Sequence, residues 1–304
     1  MYLSLTHLVI FILLTLVNIT FYYVNNQTVL LVNLDIVPNV EADMGSARTK
    51  IVIDENDVLA VDYHGVQRKV YNPLTVASGG LSYYADYVKG IDKEQSKNKF
   101  ISSADWLVKN AINKGEYSLW EYEYPWRFYG WISPPYSSAL AQAKGLQVLT
   151  LAYELTGNEK YLDVAKKIIR SFLVDYDEGG FVTYEGIGNN SLFLHILAKP
   201  SFQKTYVLNG HTQSLLSIWS YYEKTKDPVG KIIFDKGINY LKENLAKYDT
   251  GYWSYYDLME NWTMRDYQKG QVQQLKSLYQ ISKEPILKNY ADRFEKYLKY
   301  SSLE

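Results

Sequence analysis

GLQVLTLAYELTGNEKYLDVAKKIIRSFL, residues 145–173, is the stretch on which the fold turns. Apolar residues recur at three- and four-residue spacing on both sides of Thr156-Gly157-Asn158, the pattern of two helices broken by a turn. The same unit returns twice. Gly210–Leu245 turns at Lys226-Asp227-Pro228, and Gly270–Leu298 turns at Ser282-Lys283-Glu284-Pro285. Each turn carries Gly or Pro where one helix must stop and the next begin. Such hairpins stack side by side and share a core, as an open solenoid or as a closed α/α toroid. The intervals are irregular and long loops interrupt them, which favours the toroid. Loops at one end of such a ring line a cleft suited to a polymer.

Working outward, helical spacing begins near Ser102, so residues 101–304 are read as the toroid. Upstream, Val29–Leu34, Thr49–Asp54 and Val58–Tyr63 are β-rich runs separated by Asn, Asp, Gly and Pro, and residues 26–100 are read as a small β-region. Residues 3–23 carry no charge and just reach the ~20 apolar residues that span a bilayer. With no basic leader and no small-x-small cleavage site, residues 1–25 are read as an uncleaved transmembrane helix rather than a signal peptide. That anchor implies a single-pass protein; no lysine or arginine close to either end of the segment sets its orientation, and the folded part is expected outside the cytoplasm.

Composition narrows the chemistry. The 304 residues contain no cysteine, which excludes disulfides, thiol catalysis and cysteine-ligated zinc. A net charge of −1 leaves no basic footprint for a nucleic acid. Thirty tyrosines and seven tryptophans are many. Flat amphipathic rings suit sugar faces, although a tyrosine between helices with its hydroxyl at the edge is the commoner case.

The chemistry concentrates near the C-terminus, in Asp249-Thr250-Gly251, Tyr256-Asp257-Leu258, Arg265-Asp266-Tyr267 and Gln273-Gln274-Leu275. Tyr256 and Tyr267 lie on a loop running into a helix, and a tyrosine pair can take a proton from one face of a carbon and return it on the other. Upstream stand Tyr71-Asn72-Pro73-Leu74, Ala104-Asp105-Trp106-Leu107, Tyr136-Ser137-Ser138-Ala139-Leu140-Ala141-Gln142 and Tyr206-Val207-Leu208-Asn209-Gly210. In this order the segments resemble the C-terminal domain of the D-glucuronyl C5-epimerases (heparosan-glucuronate 5-epimerases). The resemblance implies inversion of carbon 5 of a uronic acid within a polysaccharide, with no metal or redox cofactor required. It places Tyr256 and Tyr267 in catalysis and Asn209, Tyr136, Gln142, Tyr206 and Gln271 against the substrate, and it leaves room for a homodimer.

Three departures from the family pattern stand out. Leu194-His195-Ile196-Leu197-Ala198-Lys199-Pro200 replaces a Glu-Glu-Tyr-Pro segment, Gln268 and Gln271 replace two histidines, and Met259 replaces an arginine. A histidine titrates near neutrality, so His195 is the candidate replacement acid–base group, set against an ordinary buried role among Phe193, Leu194 and Ile196. His211 reads equally as a helix-cap neighbour. Glu121 and Glu123 would suit a glycosidase but read more simply as a solvated face. A polysaccharide lyase shares the initial proton abstraction, and a glycan-binding protein needs none of it, so both stand as alternatives.

Overall fold

The computed structural model describes residues 19–24, 27–32, 49–63, 67–127 and 129–300. The transmembrane helix expected over residues 1–25 falls largely outside them. Its described end, Ile19–Val24, is strand β1, paired antiparallel with β2 (Gln27–Val32). The β-branched and aromatic run Ile19-Thr20-Phe21-Tyr22-Tyr23-Val24 suits a strand as well as an apolar helix. No helix among the described residues is long and apolar enough to cross a membrane.

Strands β3 (Thr49–Ile53), β4 (Leu59–Tyr63) and β5 (Gln67–Val70) form an antiparallel sheet in that order. The β-region ends there. Residues 73–100, assigned to it from sequence, are helical instead and with residues 101–109 form a hairpin, α1 (Pro73–Lys89) and α2 (Lys93–Lys109). The start signal is a cap: Asn72 Oδ1 accepts from Leu74 N at 2.9 Å and Thr75 N at 3.2 Å, with Pro73 at the first helical position. The sheet is pinned to this hairpin where the Tyr71 hydroxyl donates to Asp54 Oδ2 at 2.7 Å. That bond to a carboxylate pushes the Tyr71 hydroxyl up to about 12.

Three further hairpins follow, α3 (Ala139–Thr156) with α4 (Glu159–Ser171), α5 (Leu208–Thr225) with α6 (Pro228–Asn244), and α7 (Arg265–Ser282) with α8 (Pro285–Tyr300). Within each hairpin the helices pack together, and between hairpins α1, α3, α5 and α7 succeed one another as the inner row. The result is an arc of four hairpins, an incomplete α/α toroid that begins at residue 73 rather than 101. Short antiparallel pairs β6 (Ile112–Asn113) with β7 (Ser118–Leu119), β8 (Trp126–Arg127) with β9 (Trp131–Ile132), and β10 (Val182–Glu185) with β11 (Ser191–Leu194) fill the connections.

The inner row explains a sequence oddity. Every residue of α3 from Ala139 to Ala152 is buried, including Gln142, Lys144, Gln147 and Thr150. Buried polar groups need partners, and neighbouring inner helices supply them. Lys144 Nζ donates to Ser78 Oγ between α3 and α1 at 3.1 Å, and Ser217 Oγ to Gln147 Oε1 between α5 and α3 at 3.0 Å. Between α5 and α7, Thr212 Oγ1 donates to Gln274 Oε1 at 2.6 Å. Outside this row, α4 is amphipathic, with Tyr161, Ala165, Ile168 and Ile169 buried and lysines turned out.

Candidate functional site

Three loops converge at the ends of the inner helices, residues 126–135, 199–207 and 249–264. The last is shaped locally. Asp249 Oδ1 accepts from Gly251 N at 2.9 Å in a turn where Gly251 adopts a φ of 89°. Further on, Tyr256 N donates to Asn261 O at 2.7 Å. Asp257 is wholly buried and closes the loop on itself, accepting from Met259 N, Asn261 N and Asn261 Nδ2 at 2.9, 3.2 and 2.9 Å.

A polar knot fastens this loop to α7. The Ser254 hydroxyl lies 2.9 Å from Gln268 Oε1, 2.8 Å from Gln271 Oε1 and 3.1 Å from Thr263 Oγ1. Gln268 Nε2 continues to Phe294 O at 3.1 Å. Gln271, expected against substrate, is thereby corrected to a structural residue: it is fully buried and committed to the loop. Gln268 and Gln271 together hold loop to helix with no charge to bury.

With the loop so held, Tyr256 and Tyr267 meet edge to face, ring centroids 5.5 Å apart and planes at 88°. Burial is the main cause that pushes both hydroxyls above the ordinary tyrosine value, and the neighbouring Tyr267 and Asp257 add to it at Tyr256. Both are neutral at pH 7. Leu208 N donates to Tyr256 O at 3.0 Å, which sets the pair beside the start of α5. Asn209 stands there, 6% exposed, and its Oδ1 meets no protein donor. It does not cap the helix, since Val207 holds that position without a side-chain bond. A buried acceptor left open beside the tyrosine pair is available to a hydroxyl donor.

A third tyrosine joins them. The Tyr129 hydroxyl donates to Asp257 Oδ2, reaching across 128 positions of sequence. Burial and that bond hold its pKa high. Gln203 Nε2 donates to Tyr129 O at 2.7 Å, and Lys199 Nζ to Ser133 O at 2.8 Å, so the 126–135 loop is tied to both others. No local motif marks Tyr129 in the sequence; only the fold gives it this partner.

Other expected residues go elsewhere. His195 is corrected to a core residue: it is fully buried, with Tyr176, Phe193 and Tyr206 rings each 4.9 Å away. Its Nε2 lies 2.9 Å from Thr183 Oγ1, and burial lowers its pKa to about 3, so it is neutral and shut in at pH 7. His211 is likewise buried, accepting from Leu194 N at 3.2 Å and held down to about 3. Gln142 is corrected in the same way, because Oε1 accepts from Trp120 N at 2.9 Å and Nε2 donates to Trp120 O at 2.8 Å. Tyr136 is buried in a stack on Tyr122, centroids 4.8 Å apart, in a cluster with Tyr124. Tyr206 is half-buried at a φ of 55°, against Phe193 and Tyr240. Glu121 pairs with Lys114 at 3.0 Å, while Glu123 is exposed. Among the described residues no three His, Asp or Glu side chains gather to hold a metal ion.

Comparison with known proteins accords with this architecture. Residues 114–296 match the family described as D-glucuronyl C5-epimerase C-terminus. A D-glucuronyl C5-epimerase of Caenorhabditis elegans is 31% identical over 222 residues, which span 66% of this chain and 35% of the worm protein. The chain thus spans about a third of that relative's length. An uncharacterized protein of Methanocaldococcus jannaschii is 30% identical over 254 residues, 78% of this chain and 82% of its own. Among solved structures, a GH76 α-mannanase of Bacteroides thetaiotaomicron gives a TM-score of 0.51 at 14% identity, covering 85% of this chain and 66% of its own. A D-mannose isomerase gives 0.50 at 14% identity, covering 80% and 65%. Toroidal architecture is what this chain shares with the mannanase.

Proposed function

Because this chain belongs to the D-glucuronyl C5-epimerase C-terminal family, we propose that it inverts carbon 5 of uronic acid units in a heparosan-like polysaccharide. The observation that carries the reading is the perpendicular contact of Tyr256 and Tyr267, with the open acceptor of Asn209 at the adjoining helix start.

The chemistry is a proton exchange. A tyrosinate oxygen takes the hydrogen from carbon 5, leaving a carbanion delocalised into the adjoining carboxyl group. The second tyrosine delivers its hydroxyl proton to the opposite face. One phenol and one phenolate remain, with roles exchanged, and return through solvent. Burial holds both hydroxyls protonated, so the base form is a minority state whose population rises with pH. Asn209 Oδ1 accepts a hydroxyl of the bound sugar.

The test is incorporation of deuterium at carbon 5 of a glucuronic-acid polymer in heavy water, without chain cleavage. Tyr256→Phe and Tyr267→Phe keep the rings and remove the acid–base groups, so each is expected to slow exchange roughly a hundred- to ten-thousandfold. Exchange at the parent rate in both variants overturns the tyrosine mechanism. Unsaturated ends instead of exchange identify a lyase, and neither product identifies a binding protein. The uncharged run at residues 3–23 supports a protein held at a membrane, and the polysaccharide substrate supports placing this site outside the cytoplasm, where such a polymer is built or displayed. Protease protection in intact vesicles checks that placement, and recovery of the full chain in a high-speed supernatant sinks it.

A further inference from the structure

Asp257 is fully buried one residue beyond Tyr256, and four neutral donors meet its carboxylate. Three belong to its own turn: Met259 N and Asn261 N reach Oδ1, and Asn261 Nδ2 reaches Oδ2. These close the turn without outside help. The fourth, the Tyr129 hydroxyl, comes from another loop and also meets Oδ2. That loop is seated without it, because Gln203 Nε2 holds the Tyr129 carbonyl at 2.7 Å and Lys199 Nζ holds Ser133 O at 2.8 Å. The hydroxyl therefore supplies something that the backbone ties do not.

What it touches decides what that is. In a buried site a hydrogen bond to a carboxylate is strong and draws charge toward the donor. Tyr256 feels the Asp257 charge, together with Tyr267 facing it from α7, and Tyr129 and Tyr256 are within electrostatic reach of each other. The reaction proposed above needs a phenolate in the Tyr256–Tyr267 pair, and a second negative charge beside Tyr256 opposes it. Each donor on Asp257 lessens that opposition. Tyr248 also feels the carboxylate, but its hydroxyl goes to Tyr206 O at 2.8 Å.

We propose that Tyr129 is a positioning residue for carbon-5 exchange, acting through Asp257: its hydroxyl fixes the carboxylate and takes up part of its charge, so that Tyr256 stays turned to Tyr267 and the pair can hold a phenolate. This rests on the epimerase reading above. Tyr129 itself passes no proton to or from the sugar.

The experiment follows deuterium uptake at carbon 5 of a glucuronic-acid polymer for the full-length parent, Tyr129→Phe, Asp257→Asn and the double variant. Tyr129→Phe keeps the ring and is expected to lower kcat about tenfold, with KM within about twofold of the parent, because the lost bond lies beside the reacting group and not at the sugar. With Asp257→Asn already in place there is no charge to share, and the same change should move kcat less than about twofold. Asn261→Ala strips the other donor from Oδ2, keeps the Asn261 amide, and should also lower kcat; it carries the comparison if Asp257→Asn does not fold. Amide hydrogen exchange at Met259 and Asn261 should match the parent in Tyr129→Phe, showing the turn still closed. Parent kcat in Tyr129→Phe or Asn261→Ala overturns the proposal and leaves the epimerase reading standing. So does an equal loss with and without the Asp257 charge, or a loss wholly in KM. A parent that exchanges no carbon-5 hydrogen overturns the epimerase reading and this proposal with it.

Discussion

Two tyrosines that keep their protons at pH 7 make a slow base and a ready acid. Epimerisation by Tyr256 and Tyr267 is therefore expected to accelerate from pH 7 to 10 without a plateau, followed as deuterium uptake at carbon 5. A bell centred near neutrality would point to another base. The histidines act on stability instead. His195 and His211 are held at about 3 in the folded protein, against about 6.5 in an unfolded chain. The unfolded state binds the extra proton, so their contribution is fully present above about pH 6.5 and is lost as pH falls toward 3. Each should add up to about 1.4 kcal/mol per pH unit to the slope in that window. Denaturant melts of the parent and of His195→Leu between pH 7 and 4 measure it, and the variant should have the shallower dependence.

Among the elements, the 249–264 loop depends on Ser254, whose hydroxyl serves two buried glutamine oxygens. Its one proton serves one oxygen at a time, and Gln268 Oε1 also accepts from Ser254 N at 3.3 Å, so Ser254→Ala leaves Gln271 Oε1 the poorer in donors and should destabilise by roughly 1–3 kcal/mol. Carbon-5 exchange should fall with it, since Tyr256 lies two residues away. Hydrogen exchange at the Tyr255 and Tyr256 amides would register the loosened loop. The start of α5 is equally constrained, because a Cβ on Gly210 would lie 1.9 Å from Ile196 Cγ2. Gly210→Ala should cost about 1–3 kcal/mol by overpacking and displace Asn209. Thermal melts read the first effect and a raised KM the second.

For the molecule as a whole, the inner row is joined by side-chain hydrogen bonds as well as by apolar packing. Gln147→Leu alone strands the Ser217 hydroxyl at the α3–α5 seam and should destabilise by roughly 1–3 kcal/mol. Adding Ser217→Ala removes the stranded group and should recover most of that loss. A double-mutant cycle by denaturant unfolding gives the coupling. Additive losses would mean that each residue packs independently of its partner.

Periodicity and turn chemistry determined three of the four hairpins from sequence alone, because Gly157, Pro228 and Pro285 punctuate helices whose apolar spacing is regular. The hairpin at 73–109 was legible too, in Asn72-Pro73, but the β-rich runs just before it masked the signal. The tyrosine pair was found through the order of several motifs. What each polar side chain does there was decided only by tertiary structure. Gln142 and Gln271 could equally have bound substrate or backbone, and His195 could have been an acid or a core residue, since residue type fixes hydrogen-bonding capacity but not the partner. Tyr129 had no local signal, because its partner Asp257 is 128 positions away and meets it only when the arc of hairpins brings their loops together.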